Sequence, residues 1–399
     1  MYFEELVKGK KWLAVGDGPK HPVTGKRRQI SRRGRTKKEA EQKVLDAITA
    51  LKEDGIDESV VKKMTFEKLA AEWIHDYALT SGNKKNTIRI RKQEINILNK
   101  FIAKKNITEI TTREYQKILN DLIEQGYARN TVKGVHVTAG LIFKYAIRVN
   151  LLKDSPVSGA TVPKKRLTVE EIENNKIEEK YLEKEEIEEF LLAVKKFGLD
   201  MDLERFYLLA FSGMRSGELC ALKWSDFNFE TNEIRITKTI YSEKGNMKEY
   251  ELTPPKTVGS IRTIQIDKQI MEMLKNFQIE QKKRRLRSRI PPEEYHNENF
   301  VFARSKGYPT LQNTLIERME RILKKTSIKK HATPHIFRHT HISMLTEAGI
   351  DLPTIMDKVG HDDMKTTMKI YTHVTKKMKK DASQKVQETF GDILNIGIS

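Results

Sequence analysis

From Thr65 to about Asn150 the apolar residues recur three and four positions apart, the spacing of helices that each bury one stripe against a neighbour. Four helices are read there: Phe66 to Tyr77, about Asn86 to Phe101, a third opened by the capping box Thr111 to Glu114, and a fourth after Asn130. Ile95 and Leu98, then Tyr115, Ile118, Leu119 and Leu122, then Val132, Val135, Leu141, Ile142 and Tyr145 take the inward positions. Gly82, Gly126 and Pro156 punctuate the pattern, which predicts a compact bundle.

The first forty residues read differently. KKWLAV reads as a strand, GDGPKHPVTGK as a long hairpin turn and RRQISRR as the returning strand. Thr36 and Glu39 then form a capping box for a helix whose apolar stripe is Ala40, Val44, Ala47, Ile48 and Leu51, ending near Gly55. Residues 1–40 hold twelve Lys or Arg against four acids, a net +8. Cations set on short strands, Lys26, Arg27, Arg28, Arg32 and Arg33 among them, suit contact with a nucleic-acid groove. Lys84, Lys85, Arg89, Arg91 and Lys92, opening the second bundle helix, suit phosphates or an ordinary solvated face equally.

The whole chain of 399 residues carries a formal +19 and a pI near 9.6, which calls for a polyanionic partner, either nucleic acid or an anionic membrane. No apolar run approaches the roughly 18 residues of a membrane span, and the N-terminus has no signal-peptide apolar region. A cytoplasmic protein that meets DNA or RNA is expected. The single cysteine, Cys220, sits among Leu219, Ala221 and Leu222 and reads as core, so neither disulfides nor a cysteine-rich metal site is expected.

Pro163 to Arg166 is a short basic linker. Residues 170–189 then hold ten Glu against three Lys, a charge that favours the head of a helix running from about Glu183 to Phe197. Further on, WSDFNFETNEIRITKTIY and SIRTIQID read as strands flanking a loop, ELTPPKTVGS, that contains Lys256. Together the segments predict a multidomain α+β chain: a small N-terminal β-sheet plus helix, a four-helix bundle, and a mixed, mainly helical domain with a small β-sheet.

Three segments carry chemistry. Arg215 stands in GMRSGE, where Gly213 and Gly217 permit close backbone approach and Glu218 lies three positions on. An arginine beside a glutamate is ordinarily a structural ion pair. In PHIFRHTHISML the helical offset of three puts His335 and Arg338 on one face, aimed at a common anion, with His339 free to hold nearby backbone groups. His361 follows Gly360 at a turn, and HDDMKTTMKIY continues as a helix on which Met364, Met368 and Tyr371 share a stripe. Without the upstream segments Tyr371 would be an ordinary half-buried core tyrosine.

In this order and at these spacings the segments resemble the tyrosine recombinase (phage integrase) family, with Arg215, Lys256, His335, Arg338, His361 and Tyr371 filling its six positions. The resemblance covers nearly the whole chain. It implies that Arg215 and Arg338 contact oxygens of a scissile phosphate and that Glu218 orients the site. It further implies that Lys256 protonates the leaving 5′-oxygen, that His361, ten residues before Tyr371, hydrogen-bonds the phosphate, and that Tyr371 is the nucleophile. Physical chemistry agrees: a phenol of pKa about 10 is scarcely ionised at neutral pH, and paired guanidiniums supply fixed charge where the transition state gathers it. The phosphotyrosyl link conserves bond energy, so neither ATP nor a metal or other cofactor is expected.

The N-terminal segment resembles the arm-binding domain of lambda-type and conjugative-transposon integrases, and the bundle their core-binding domain. The resemblance implies an arm-type DNA-binding domain over 1–60, a core-binding domain over 65–165, a catalytic domain over 175–380 and a tail over 381–399. On the tail, Val386, Phe390, Ile393 and Leu394 share a side, for packing in cis or, by preference, on a neighbouring protomer. The implied partners are double-stranded DNA with core-type and arm-type sites, three further copies in a tetramer, an excisionase and a host DNA-bending protein. The implied setting is a mobile element at the nucleoid of a bacterial host. Two other readings stay open from sequence: a type IB topoisomerase, and a DNA-binding regulator on the same scaffold.

Overall fold

The computed structural model describes residues 1–8, 10–19, 28–53, 58–164, 180–255, 260–360 and 364–396. The chain divides into two compact units, Met1–Arg166 and Leu167–Ser399.

The first unit opens with β1 (Tyr2–Val7), β2 (Lys11–Gly18) and β3 (Arg28–Gly34), an antiparallel sheet in sequence order, followed by α1 (Lys37–Glu53). α1 covers one sheet face and buries Ala14, Ala40 and Val44. The approach is close, since a Cβ on Gly34 would lie 2.5 Å from the Ala40 nitrogen. β1 was not anticipated, because FEELV carries two acids and shows no clean alternation. The expected long turn also loses Gly16, Asp17 and Gly18 to β2. Thr36 Oγ1 accepts from Glu39 N at 3.1 Å as expected of a cap, but the Glu39 carboxylate reaches back to Arg35 N at 2.8 Å, not to Thr36. Cross-strand partners share a face. Arg32, opposite Ala14, therefore lies on the helix side, while Arg33, opposite Leu13, lies on the open side.

A short α2 (Glu58–Val61) precedes the bundle of α3 (Phe66–Thr80), α4 (Lys85–Ile102), α5 (Thr112–Glu124) and α6 (Arg129–Arg148). Thr65 and Thr111 cap α3 and α5 through bonds to Lys68 N and Glu114 N. The inward residues named from sequence are buried, with Leu141 only partly so. One polar group interrupts this core. Glu94 is 7% exposed, bonds Arg91 Nη1 at 2.8 Å, and also accepts from Thr138 Oγ1. Gly134 gives it room, as a Cβ there would stand 2.1 Å from Glu94 Oε1.

The second unit is built from α7 (Lys184–Phe197), α8 (Asp202–Ser212), α9 (Ser216–Ala221), β4 (Phe227–Asn228), β5 (Glu233–Ile236), β6 (Thr239–Tyr241), β7 (Glu251–Thr253), β8 (Arg262–Gln265), α10 (Lys268–Arg287), α11 (Gln312–Leu323), α12 (Ile336–Glu347), α13 (Leu352–Val359) and α14 (Met364–Ile396). Two small antiparallel sheets form, β4–β5–β8 and β6–β7. The segment WSDFNFETNEIRITKTIY is thus not one strand. Trp224–Asp226 makes a 3₁₀ turn, and the chain reverses at Asn232, whose φ is 56°. Part of the expected loop ELTPPKTVGS is likewise strand, Glu251–Thr253 pairing with β6. The main core gathers around Phe190, Phe206 and Phe337, whose ring centroids lie 5.2–5.8 Å apart.

A second, smaller core holds α14 against α12 and α13 through Tyr181, Ile342, Ile355, Val359, Ile370 and Val374. The buried line of α14 is therefore Thr367, Ile370 and Val374, not the expected Met364, Met368 and Tyr371. Met368 is 39% exposed, the Met364 side chain lies outside the described residues, and Tyr371 flanks the line half-buried. α14 runs unbroken through Lys380. Val386 on the tail is 58% exposed, while the side chains of Phe390, Ile393 and Leu394 lie outside the described residues. α12 is tied to α8 by His341, 4% exposed, whose Nδ1–H donates to the Ala210 carbonyl at 3.1 Å.

Two glycines of α6 make a paired test. Replacing a mid-helix glycine by alanine ordinarily stabilises by up to about 1 kcal/mol. Nothing stands within 4 Å of a Cβ at Gly140, so Gly140→Ala is expected to raise the melting temperature. Gly134→Ala must push Glu94 aside and is expected to lower it; a gain at both positions would show that Glu94 moves freely.

Burial pulls the His341 imidazole down to about 3, below the unfolded value of about 6.5. The unfolded chain takes the proton first, so this contribution is intact above pH 6.5 and is lost as pH falls toward 3, at up to about 1.4 kcal/mol per pH unit. His341→Asn, which keeps an N–H for the Ala210 carbonyl, is expected to show a flatter loss of stability in urea melts between pH 7 and 5. Parallel curves for the two proteins would assign the acid sensitivity to another group.

Candidate active site

Two helix ends build the floor of the site. α8 stops at Gly213 and α13 at Gly360, both left-handed, with φ of 62° and 65°. Glycine fits because no side-chain strain opposes positive φ. The space is also absent, since a Cβ on Gly213 would lie 2.7 Å from His341 Cδ2 and one on Gly360 would lie 3.0 Å from the Arg262 guanidinium. The carbonyls at these ends carry the negative pole of their helices.

Arg338, third residue of α12 and 0% exposed, donates from Nη1 to the Gly213 carbonyl at 2.9 Å and from Nη2 to the Gly360 carbonyl at 3.4 Å. Arg215 caps α9 and donates from Nη2 to the same Gly360 carbonyl at 3.1 Å. One carbonyl oxygen thus receives both guanidiniums. Arg215 Nη1 also meets Glu218 Oε1 at 2.7 Å, while Glu218 Oε2 accepts from Arg215 N at 2.9 Å. The Arg215 side chain stays 36% exposed, whereas Glu218 is 2% exposed. Gly217 lets this corner close, because a Cβ there would meet Gln312 and Thr239 at 2.2 and 2.5 Å.

Sequence reasoning missed Arg262. It is 6% exposed on β8 and donates from Nη2 to Glu218 Oε2 at 3.0 Å and from Nε to the Lys358 carbonyl at 3.0 Å. The signal was present, since Arg262 alternates with Ile264 and Ile266, both buried. An arginine at a core-facing strand position needs a buried carboxylate. Burial raises the pKa of Glu218, but the Arg262 charge and hydrogen bond, helped by the Arg215 amide and guanidinium, outweigh it and hold it below the ordinary range. Two guanidiniums, Arg215 and Arg262, share this one carboxylate, while the third, Arg338, is held by the helix-end carbonyls of Gly213 and Gly360.

His335 precedes α12 by one residue. Burial, then the charges of Arg338 and Arg215, lower its pKa and favour the neutral imidazole. The His339 ring stands edge-on to it at 4.7 Å, with its own pKa drawn down to about 4 by burial and by His335. Among the described residues the buried His339 Nδ1 has no hydrogen-bond partner, and it is His341 that holds a backbone carbonyl. Tyr371 sits on α14, which packs on α12 and α13, the helices that bear Arg338 and end at Gly360.

Lys256 and His361 lie outside the described residues, although Gly360, next to His361, belongs to the cluster. Lys26 and Arg27 also lie outside them, as does the side chain of Arg28. Arg32 Nη1 bonds the Ser31 carbonyl at 3.0 Å. Arg33 is exposed on the open sheet face. Lys84 and Lys85 open α4, and Arg89 is turned onto Asn86 Oδ1 at 2.9 Å. Arg91, counted among the cations from sequence, is committed to Glu94. Among the described residues no group of three or more His, Cys, Asp or Glu could hold a metal, and no helix is long and apolar enough to cross a membrane.

Residues 180–378 match the phage integrase family, and residues 66–161 match the phage integrase central domain. The chain is 32% identical to the integrase of Staphylococcus phage L54a over 83% of this chain and 94% of that protein. It is also 32% identical to a probable integrase of prophage ps2 in Lactococcus lactis, over 95% and 97%. Among solved structures, the Tn1549 transposon integrase in complex with a circular intermediate DNA has the same fold, with a TM-score of 0.62 at 21% identity over 77% of this chain and 95% of that one. So does a lambda integrase dimer bound to a core site, with a TM-score of 0.56 at 16% identity over 92% and 93%. With both domains matched in order and relatives aligned over nearly their full length, the chain belongs to the phage integrase family and is a tyrosine recombinase, an enzyme that breaks and rejoins DNA by transesterification.

Proposed function

We propose that Arg215 and Arg338 clamp the scissile phosphate and that Tyr371 attacks it, so that the protein inserts and removes a mobile element at specific sites. The observation that carries this reading is the shared Gly360 carbonyl, which gathers two guanidiniums beside the buried Glu218 carboxylate. Charge fixed in advance needs no reorganisation as the phosphorane forms. The Tyr371 phenol loses its proton to solvent as its oxygen bonds to phosphorus, the bond to the 5′-oxygen breaks, and Lys256 gives that oxygen a proton. A 5′-hydroxyl from the second duplex then reverses the step and frees the phenol. Neutral His335 accepts or donates one hydrogen bond at the phosphate without adding charge, and His361 donates another. Glu218, locked by Arg262, keeps Arg215 from swinging into solvent.

The remaining assignments follow the family. Residues 1–60 bind arm-type DNA, 65–165 core-type DNA, 175–380 perform cleavage, and 381–399 pack on their own or a neighbouring protomer. The open sheet face with Arg33, and Lys84, Lys85 and Arg89 at the head of α4, supply the phosphate contacts, joined by Lys26, Arg27, Arg28 and Arg32. A lambda integrase tetramer has been solved on a Holliday junction, and four copies of this chain are proposed to act on two duplexes in the bacterial cytoplasm. An excisionase and a host DNA-bending protein set the direction.

Tyr371→Phe is expected to abolish the denaturant-resistant protein–DNA adduct and to leave DNA binding intact, since no charge is removed. Mapping that adduct on genomic DNA with the wild type locates the core site. Arg215→Ala and Arg338→Ala should each slow cleavage at least a hundredfold, about 3 kcal/mol, with activity persisting in EDTA. Recovery of EDTA-lost activity by magnesium would overturn the clamp.

Two DNA-reading units on one chain make the second contact intramolecular. A protein beginning at Thr65 is therefore expected to cleave its core site and to integrate poorly. Footprints of this shortened protein and the full chain on one attachment-site DNA should differ by a separate, salt-sensitive arm protection; identical footprints would refute the arm assignment.

A further inference from the structure

The segment Tyr181–Glu183, just ahead of α7, touches more of the nucleophile's surroundings than its position suggests. Tyr181 is 1% exposed and lies in the small core beneath α14, where every other buried member comes from residue 342 or later. Its ring meets the His373 ring edge-on at 6.4 Å, two residues beyond Tyr371. Leu182 turns the other way into the main core, and its N–H donates to Thr340 Oγ1 of α12 at 2.9 Å. Glu183 Oε2 then pairs with Lys377 Nζ of α14 at 3.0 Å. His373 and Lys377 are four apart and so share one face of α14. Lys330 secures the segment from behind, bonding the Tyr181 carbonyl at 3.0 Å and Glu186 at 2.6 Å.

Three consecutive residues thus grip two helices: α12, which carries Arg338, and α14, which carries Tyr371. Their buried side chains enter two different cores. A segment needed only to begin α7 has no use for an ion pair with a helix nearly two hundred residues away.

We propose that Tyr181–Glu183 is a positioning strap that sets α14, and with it Tyr371, relative to the arginine-bearing α12. The inference rests on Tyr371 being the nucleophile. The strap touches no substrate. It acts through the register of α14 against α12, and its effect belongs to the rate of phosphotyrosyl formation, not to DNA affinity.

The test uses the full-length protein and a nicked duplex bearing the core site located by adduct mapping. Lys377→Gln and Glu183→Gln are each expected to form the covalent adduct about fivefold more slowly at saturating DNA, the scale of one partly exposed ion pair. Melting temperature and DNA affinity should remain those of the wild type. Exchanging the charges, Glu183→Lys with Lys377→Glu, is expected to restore the rate to within about twofold. Wild-type rates in both single variants overturn the strap, as does failure of the exchange to restore the rate. A rate loss matched by an equal fall in melting temperature or DNA affinity also overturns it, because the pair would then only hold the fold. Tyr371→Phe, run alongside, separates the failures. An adduct there overturns the nucleophile reading and the strap together, whereas its absence alongside wild-type rates in the singles overturns the strap alone.

Discussion

Like charges repel, yet Arg215, Arg262 and Arg338 are held within reach of one carboxylate and a few helix-end carbonyls. Several local features of the second unit meet at that arrangement. Glu218 is buried so that its charge is felt at short range in a poorly screened setting. α8 and α13 end where they do so that their terminal carbonyls point at guanidiniums. Left-handed glycines are used because any other residue would strain the turn and collide with His341 or Arg262. Removing one partner from such a set leaves a buried charge uncompensated, which costs far more than a surface pair.

Much of the fold could be read from the sequence, for physical reasons that differ by region. The bundle was legible because its apolar stripes repeat at helical period over four long segments and two threonine caps mark helix starts. The strands of the second unit were legible only in part: β4, β5, β6 and β8 fall inside the two segments read as strands, but the breaks between them and β7 did not show. These strands run only two to four residues, and little periodicity survives at that length. β1 escaped because Glu4 and Glu5 interrupt its alternation.

The chemistry divides in the same way. Arg215, Glu218, His335 and Arg338 announced themselves as clusters in the chain, and the structure brings them together. Arg262 lies far from any cluster in sequence, and only its place on the inward face of a strand betrayed it. His339 and His341 could not be told apart by spacing alone, because both sit on the same turns of α12 and only packing against α8 decides which one finds the Ala210 carbonyl. The stripe on α14 was displaced for a related reason: Met364, Met368 and Tyr371 satisfy the helical period as well as Thr367, Ile370 and Val374 do, and periodicity does not say which line faces inward.

α14 is one helix of 33 residues, with its buried contacts at Thr367, Ile370 and Val374 near the beginning. The twenty-six residues from Tyr371 to Ile396 span about 38 Å at the rise of an α-helix. Mechanically this is a lever: the small core is the fulcrum, the phenol stands at it between Ile370 and Val374, and the helix continues well past it. A push at the far end of a stiff rod becomes a small rotation at the pivot, and a phenol moved by a fraction of an ångström is the difference between attack and idleness.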